Sequence, residues 1–148
     1  MPKHWLEIDY QGFDEVIQQI RYVRSEIQSE LGHIMLRAAL IVEAEVKRLI
    51  TNYELVDTGA LRASVHSFVR EQFNATEGVV GTNMEYAPFL EYGTGQRGQG
   101  SNHPDVPADY RYGDSRGIRA YKYMWTAWEN KADKVTQYVN TELERLVS

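Results

Sequence analysis

Apolar and polar positions change period several times along the chain, and each change marks a boundary. Leu6, Ile8 and Tyr10 alternate with Glu7 and Asp9, the two-residue period of a short half-buried strand, which Gly12 ends. From Phe13 the spacing turns to threes and fours. Phe13, Val16, Ile17, Ile20, Val23 and Ile27 share one side of an amphipathic helix, with Gln18, Arg21, Arg24 and Gln28 opposite. A second helix is predicted over about residues 30–51, set off by a kink near residues 29–32. Leu31, Ile34, Met35, Ala38, Val42, Val46 and Leu49 line its main face, and Leu36, Leu40 and Ile50 widen the apolar surface beyond one stripe. So broad a face calls for cover on two sides, from a sheet or from a neighbouring subunit.

Beyond Asn52 the helical period stops. Residues 63–73 and 77–82 carry Val65, Phe68, Val79 and Val80 among polar neighbours and read as an antiparallel hairpin joined by residues 74–76. Residues 86–92 are aromatic, with Pro88 placed for the first turn of a short helix. Residues 93–117 then hold six glycines, two prolines and little apolar content, the makings of a long functional or mobile loop. A last helix is predicted from about Tyr121 to Val147, with Trp128, Ala132, Val135, Val139, Leu143 and Leu146 in a near-heptad seam. The predicted class is α+β, one domain over residues 1–148. A small antiparallel sheet packs against two N-terminal helices and a long C-terminal helix, and residues 93–120 form an extended Gly-rich loop.

Composition narrows the function. With 148 residues and 43% hydrophobic content, the chain is long enough to bury roughly two-thirds of its unfolded surface. Sixteen basic against 21 acidic residues leave a charge of −5, the wrong sign for a protein that coats nucleic acid. Within residues 96–122 the balance reverses. Arg97, Arg111, Arg116, Arg119 and Lys122 face Asp105, Asp109 and Asp114, so this segment is +2 and the remainder −7. The absence of cysteine removes disulfides, thiol catalysis and thiolate metal sites. No apolar leader follows Met1 and no apolar run exceeds residues 38–42, so a soluble protein made in a cytoplasm, with no membrane contact, is expected.

Two short motifs imitate enzymes. Asp57-Thr58-Gly59-Ala60 spells the aspartic-protease tetrapeptide, whose chemistry needs two carboxylates sharing a proton, hence here a homodimer using Asp57. That motif belongs to an all-β setting, whereas here it follows a helix. The reading preferred is a turn in which Asp57 caps backbone N–H groups and Gly59 supplies a permissive φ. Gly93-Thr94-Gly95-Gln96-Arg97-Gly98 fits the dinucleotide pattern GxGxxG, but no buried parallel strand precedes it and Gly98 to Ser101 is too glycine-rich to open a stable helix. His4, His33, His66 and His103 fall singly, so no metal site is indicated and no cofactor is called for. The chain reads as a non-enzyme.

Three segments taken in order point elsewhere: Val56-Asp57-Thr58-Gly59-Ala60-Leu61-Arg62-Ala63-Ser64-Val65, then Val80-Gly81-Thr82, then Tyr86-Ala87-Pro88-Phe89-Leu90-Glu91-Tyr92-Gly93-Thr94-Gly95. The series resembles the head–tail joining, or tail-completion, proteins of long-tailed bacteriophages and prophages, over roughly residues 30–147. Leu55 stands where that family usually has Pro, the entry to the last helix is only loosely matched, and the loop between Gly95 and Tyr121 is long.

The resemblance implies a structural virion subunit of the neck, assembled in the host cytoplasm. It would form a homo-oligomeric ring, six-fold to match the tail tube, between a head-side connector or stopper and the tail terminator or tube. An assembly chaperone or binding module outside the virion is the alternative. Asp57, Thr58, Gly59, Gly81, Gly93, Thr94 and Gly95 are then structural turns. Subunit or partner contacts are expected at Leu61, Arg62, Tyr86, Phe89, Glu91 and Tyr92, and on the loop at Arg97, Tyr110, Tyr112, Arg116 and Arg119. The loop is expected to reach a neighbouring ring or the lumen, to order only on assembly, and to meet packaged DNA incidentally.

Overall fold

A computed structural model describes residues 14–55, 59–72 and 75–148, with side chains from residue 21 onward. The strand predicted over residues 6–10, its stop at Gly12, the Asp57–Thr58 part of the turn and Asn74 lie outside the described residues.

Helix α1 (Asp14–Asn52) is a single helix, so the predicted break at residues 29–32 does not occur. Gly32 costs about 1 kcal/mol of helix propensity, too little to part a helix whose following turns are anchored by a buried face. The space above Gly32 is used instead: the Glu71 carboxylate stands 3.5 Å from where a Cβ would be. Ile34, Ala38, Val42, Val46, Leu49 and Ile50 are all buried, as their spacing predicts. Val46 and Ile50 are wholly removed from water, which is worth roughly 1.5–3 kcal/mol each. The two-sided cover comes from within the chain. Helix α5 (Tyr123–Val147) lies along one side of α1 and a β-hairpin along another, while Leu40 is left half exposed.

The chain leaves α1 through a short helix, α2 (Ala60–Ser64), where a strand was expected from residue 63. Leu61 and Val65, four residues apart, both reach the core, at 2% and 1% exposure, and a helical turn is what brings that spacing onto one side. The hairpin proper is β1 (His66–Gln72) paired with β2 (Ala75–Gly81), in register from His66 with Gly81 to Gln72 with Ala75. Ala75 and Thr76, expected in the connection, are therefore strand residues. One face of the hairpin meets α1. Ser67 donates to the Glu43 carboxylate, and Gly78 lies so close that a Cβ there would be 2.5 Å from the Met35 carbonyl oxygen. The other face carries His66 stacked on Phe68, and Arg70 paired with Glu77 at 3.4 Å.

Helix α3 (Ala87–Tyr92) opens with the predicted Pro in its first turn, and α4 (Gly95–Gly100) follows directly. Helix α5 runs antiparallel to α1. Tyr121 meets Tyr53 with ring centroids 6.3 Å apart, Asn130 donates to Glu45 at 3.0 Å, and Glu142 and Arg145 approach Glu30, His33 and Arg37. Its buried seam begins with Tyr123 and Ala127 and continues through Val135, with Tyr138 and Val139 packed alongside. Trp128, expected to head this seam, is instead 46% exposed. Ala127 takes the core position because its small side chain admits the close approach of α1.

Candidate functional site

The C-terminal helix starts without a cap of its own. Lys122 precedes it with a left-handed backbone (φ 54°), no side-chain cap bond is made there, and its first turn carries no acidic residue. Glu91, on α3, supplies the acceptor. Its two carboxylate oxygens receive the backbone N–H of Met124 at 2.7 Å and of Trp125 at 3.0 Å. A carboxylate over a helix N-terminus satisfies orphan donors and meets the positive end of the helix dipole.

The same carboxylate accepts Nε2–H of His103 at 2.8 Å, and both side chains are buried. Because His103 Nδ1 accepts the Asp105 backbone N–H at 3.0 Å, the ring proton resides on Nε2, the nitrogen facing Glu91. Tyr92 and Trp125 close over the imidazole edge-on, at 4.8 and 6.0 Å between centroids. Tyr123 lies beneath, its hydroxyl donating to the Ala87 carbonyl at 3.0 Å, and burial pushes its phenol well above the ordinary range.

Around this hub the Gly-rich segment folds into a closed lobe. Thr94, Gln96 and Arg97 donate their N–H groups to the carbonyls of Ile118, Ser115 and Arg116 at 2.8–3.0 Å. Ser101 Oγ accepts from Ala120 N at 3.0 Å, and the Tyr110 hydroxyl donates to the Gly93 carbonyl. Gly95 and Gly117 cross with positive φ (60° and 66°), so closely that a Cβ on Gly117 would sit 1.8 Å from the Thr94 carbonyl oxygen. The expectation of a loop that orders only on assembly is therefore corrected: this density of backbone bonds needs no partner chain. Likewise a short helix, α4, does form within 95–100, because Gly95 and Gly98 let its backbone lie directly on residues 93 and 115–118.

Beside the hub opens a cavity of about 480 Å³, lined on the apolar side by Met84, Pro88, Met124, Trp125 and Trp128. The sequence-predicted contact residues fall into three groups. Leu61 and Glu91 are interior, at 2% and 5% exposure, so neither lies on the surface expected of it: Leu61 fills the core and Glu91 caps α5. Tyr92, Tyr110 and Tyr112 are half-buried and stack edge-on inside the lobe, at 5.0 and 5.1 Å. Tyr86, Phe89, Arg62, Arg97, Arg116 and Arg119 do reach solvent, with Arg119 lying 4.4 Å over the Tyr121 ring. Of the predicted turns, Gly59 has φ 80° and heads α2, Gly81 ends β2, and Gly93 and Thr94 join α3 to α4.

The family model described as "Bacteriophage HK97-gp10, putative tail-component" matches residues 14–93, from the first residue of α1 to the glycine after α3. The chain belongs to the HK97-gp10-like family. No curated protein and no solved structure matches it. The HK97-gp10-like match begins earlier than the resemblance read from the motifs, taking in the first half of α1, and stops at Gly93. The lobe and α5 thus lie beyond the matched region, although α5 completes the core that the matched region begins.

Residues that motif reading missed are those tying this HK97-gp10-like framework to the rest. Glu45 is 5% exposed in the α1–α5 seam, where Arg48 grips it with two N–H groups and Asn130 donates across from α5. The Arg48 bonds hold its carboxyl well below the usual range, at about 2. A glutamate interrupting the apolar series 38, 42, 46, 49 was the available signal. His103 carried none, since its partner is twelve residues away across a turn.

Proposed function

We propose that this chain is a structural subunit of the phage neck, forming a homo-oligomeric ring, six-fold like the tail tube, that joins the head connector to the tail. The observation that carries this reading is how the polar groups of the lobe are used. Glu91 and His103, the carboxylate and imidazole most enclosed there, are wholly engaged in holding α3, the lobe and α5 together. Arginines and aromatics face outward: Arg97, Arg111, Arg116 and Arg119 from the lobe, Tyr86 and Phe89 from α3. Arg and exposed aromatics are the side chains from which protein–protein contacts draw most energy. A rigid lobe that presents them suits a subunit whose task is to fit neighbours.

On this reading the head-side connector or stopper and the tail terminator or tube are the partners, and the protein resides in the virion after assembly in the host cytoplasm. Contact with packaged DNA is incidental, since a local charge of +2 would release few counterions. Among the described residues no helix is long and apolar enough to cross a membrane.

Quantitative mass spectrometry of purified particles tests the proposal. A neck-ring subunit is present at a fixed number of copies per particle, and particles made without it have unjoined heads and tails. Its absence from finished particles, with joining still dependent on it, would assign the chain to the assembly chaperones instead.

A further inference from the structure

Near the start of α1, large apolar side chains stand open to solvent. Glu142, Arg145 and Leu146, near the end of α5, lie beside Glu30, His33, Ile34 and Arg37, and α1 extends a further sixteen residues, about 24 Å, back to Asp14. Residues 21–27 are all exposed, and they include Tyr22 (67%), Val23 (53%) and Ile27 (42%). Val23 and Ile27 continue, at heptad-like spacing, the face of α1 on which Ile34 and Ala38 are buried. An apolar stripe left open on an amphipathic helix lacks the burial that normally stabilises it.

At the other end of the molecule the situation is reversed. The 480 Å³ cavity beside the hub is lined by Met84, Pro88, Met124 and Trp128, and none of the described residues fills it. It cannot take its own arm. The cavity lies at the start of α5, level with residues 45–53 of α1, and Val23 is about 33 Å from Glu45 along a continuous helix.

We infer that the α1 arm of one copy docks, Val23 and Ile27 first, into the Met84–Trp128 cavity of the next copy. This rests on the ring reading above and specifies the contact that closes the ring. Helix-in-groove recognition uses anchors at i, i+3, i+4 and i+7, and the sequence supplies Ile20, Val23 and Ile27 at that spacing. Charge agrees. The exposed Arg21 lies two residues before Val23, while Asp105 lines the cavity and the exposed Glu85 and Glu129 follow its lining residues Met84 and Trp128. None of these three acids is in a salt bridge among the described residues. Two different surfaces at opposite ends of one subunit make a heterologous contact, the type that generates a closed ring when the rotation permits.

The cysteine-free chain makes the test direct. Val23→Cys and Met84→Cys are prepared as separate chains, mixed, and treated with a short bis-maleimide, while native mass spectrometry records the oligomer independently. A covalent dimer that forms only in the mixture, and is lost together with the oligomer when Ile27→Asp is added to the Val23→Cys chain, supports the inference. Ile27 is exposed in the single chain, so Ile27→Asp leaves the monomer's melting temperature unchanged. An oligomer that forms without cross-linking and tolerates Ile27→Asp overturns the docking but keeps the ring. Only monomer, alone and in finished particles, overturns both.

Discussion

Replacing Glu91 by Gln isolates the contribution of one charge while keeping the shape of the side chain. The carboxylate accepts three N–H bonds, from Met124, Trp125 and His103, in a site 5% exposed. An amide retains one oxygen and turns an NH2 toward donors that it cannot satisfy. One charged hydrogen bond, about 1.5–3 kcal/mol, is lost, and the remaining bonds fall to the neutral–neutral strength of about 0.5–1.5 kcal/mol. The attraction between the charge and the α5 dipole, about 0.3–1 kcal/mol, goes as well. The lost bond and the lost dipole attraction alone give roughly 2–4 kcal/mol, a large part of the roughly 5–15 kcal/mol that holds a domain. At about 2–4 °C per kcal/mol for a chain this size, the melting temperature should fall by roughly 5–15 °C.

Urea denaturation followed by tryptophan fluorescence, at one fixed protein concentration, reads the change, since Trp125 is itself one of the donors. A double-mutant cycle with His103→Asn should show a coupling of roughly 0.5–3 kcal/mol. If Glu91→Gln costs less than about 0.5 kcal/mol, the range of an ordinary surface change, the carboxylate is not what joins α3, the lobe and α5.

Three further outcomes are expected. Glu45 titrates at about 2 in the folded chain against an ordinary 4.5. Its contribution to stability is therefore complete above about pH 4.5 and is lost as pH falls toward 2; the melting temperature of Glu45→Gln should fall less steeply than that of the parent over that window. Gly117→Ala places a Cβ 1.8 Å from the Thr94 carbonyl at a φ of 66°, so the lobe should open. Limited proteolysis within residues 101–117, resisted by the parent, reports it. Phe89→Ala with Tyr86→Ala removes two half-exposed rings, and should change the melting temperature by less than about 2 °C while sharply lowering the yield of joined particles in a complementation assay.

How much of this could be read from the sequence depended on the range of the interaction. The buried face of α1, the hairpin and the proline-started α3 follow from local period, because each residue's environment there is set by neighbours three, four or two positions away. Ser29 to Gly32 misled for the same reason. A local glycine suggested a kink, whereas the hairpin packed over Gly32 comes from residue 71, nearly forty positions on. The lobe was misread more deeply. Its glycines signal freedom when taken singly, yet Gly93 with Gly98 and Gly95 with Gly117 are used in pairs, as places where two backbones touch. Composition cannot distinguish a chain that is free to move from one stripped of side chains so that it can pack against itself.

That distinction bears on how such a subunit can work. Bonds within the lobe and through the Glu91–His103 hub fix the lobe relative to α5, and α5 is fixed relative to α1 by the seam that Glu45 spans. Lobe, cavity and central helix therefore move as one body. A rigid body can present a cavity in constant geometry to a neighbour, and it loses little conformational entropy on binding. The segment whose large apolar side chains stand exposed is the arm of α1, at Tyr22, Val23 and Ile27. On the docking inferred above, the ordering cost of assembly falls there and not on the Gly-rich segment whose composition first suggested it.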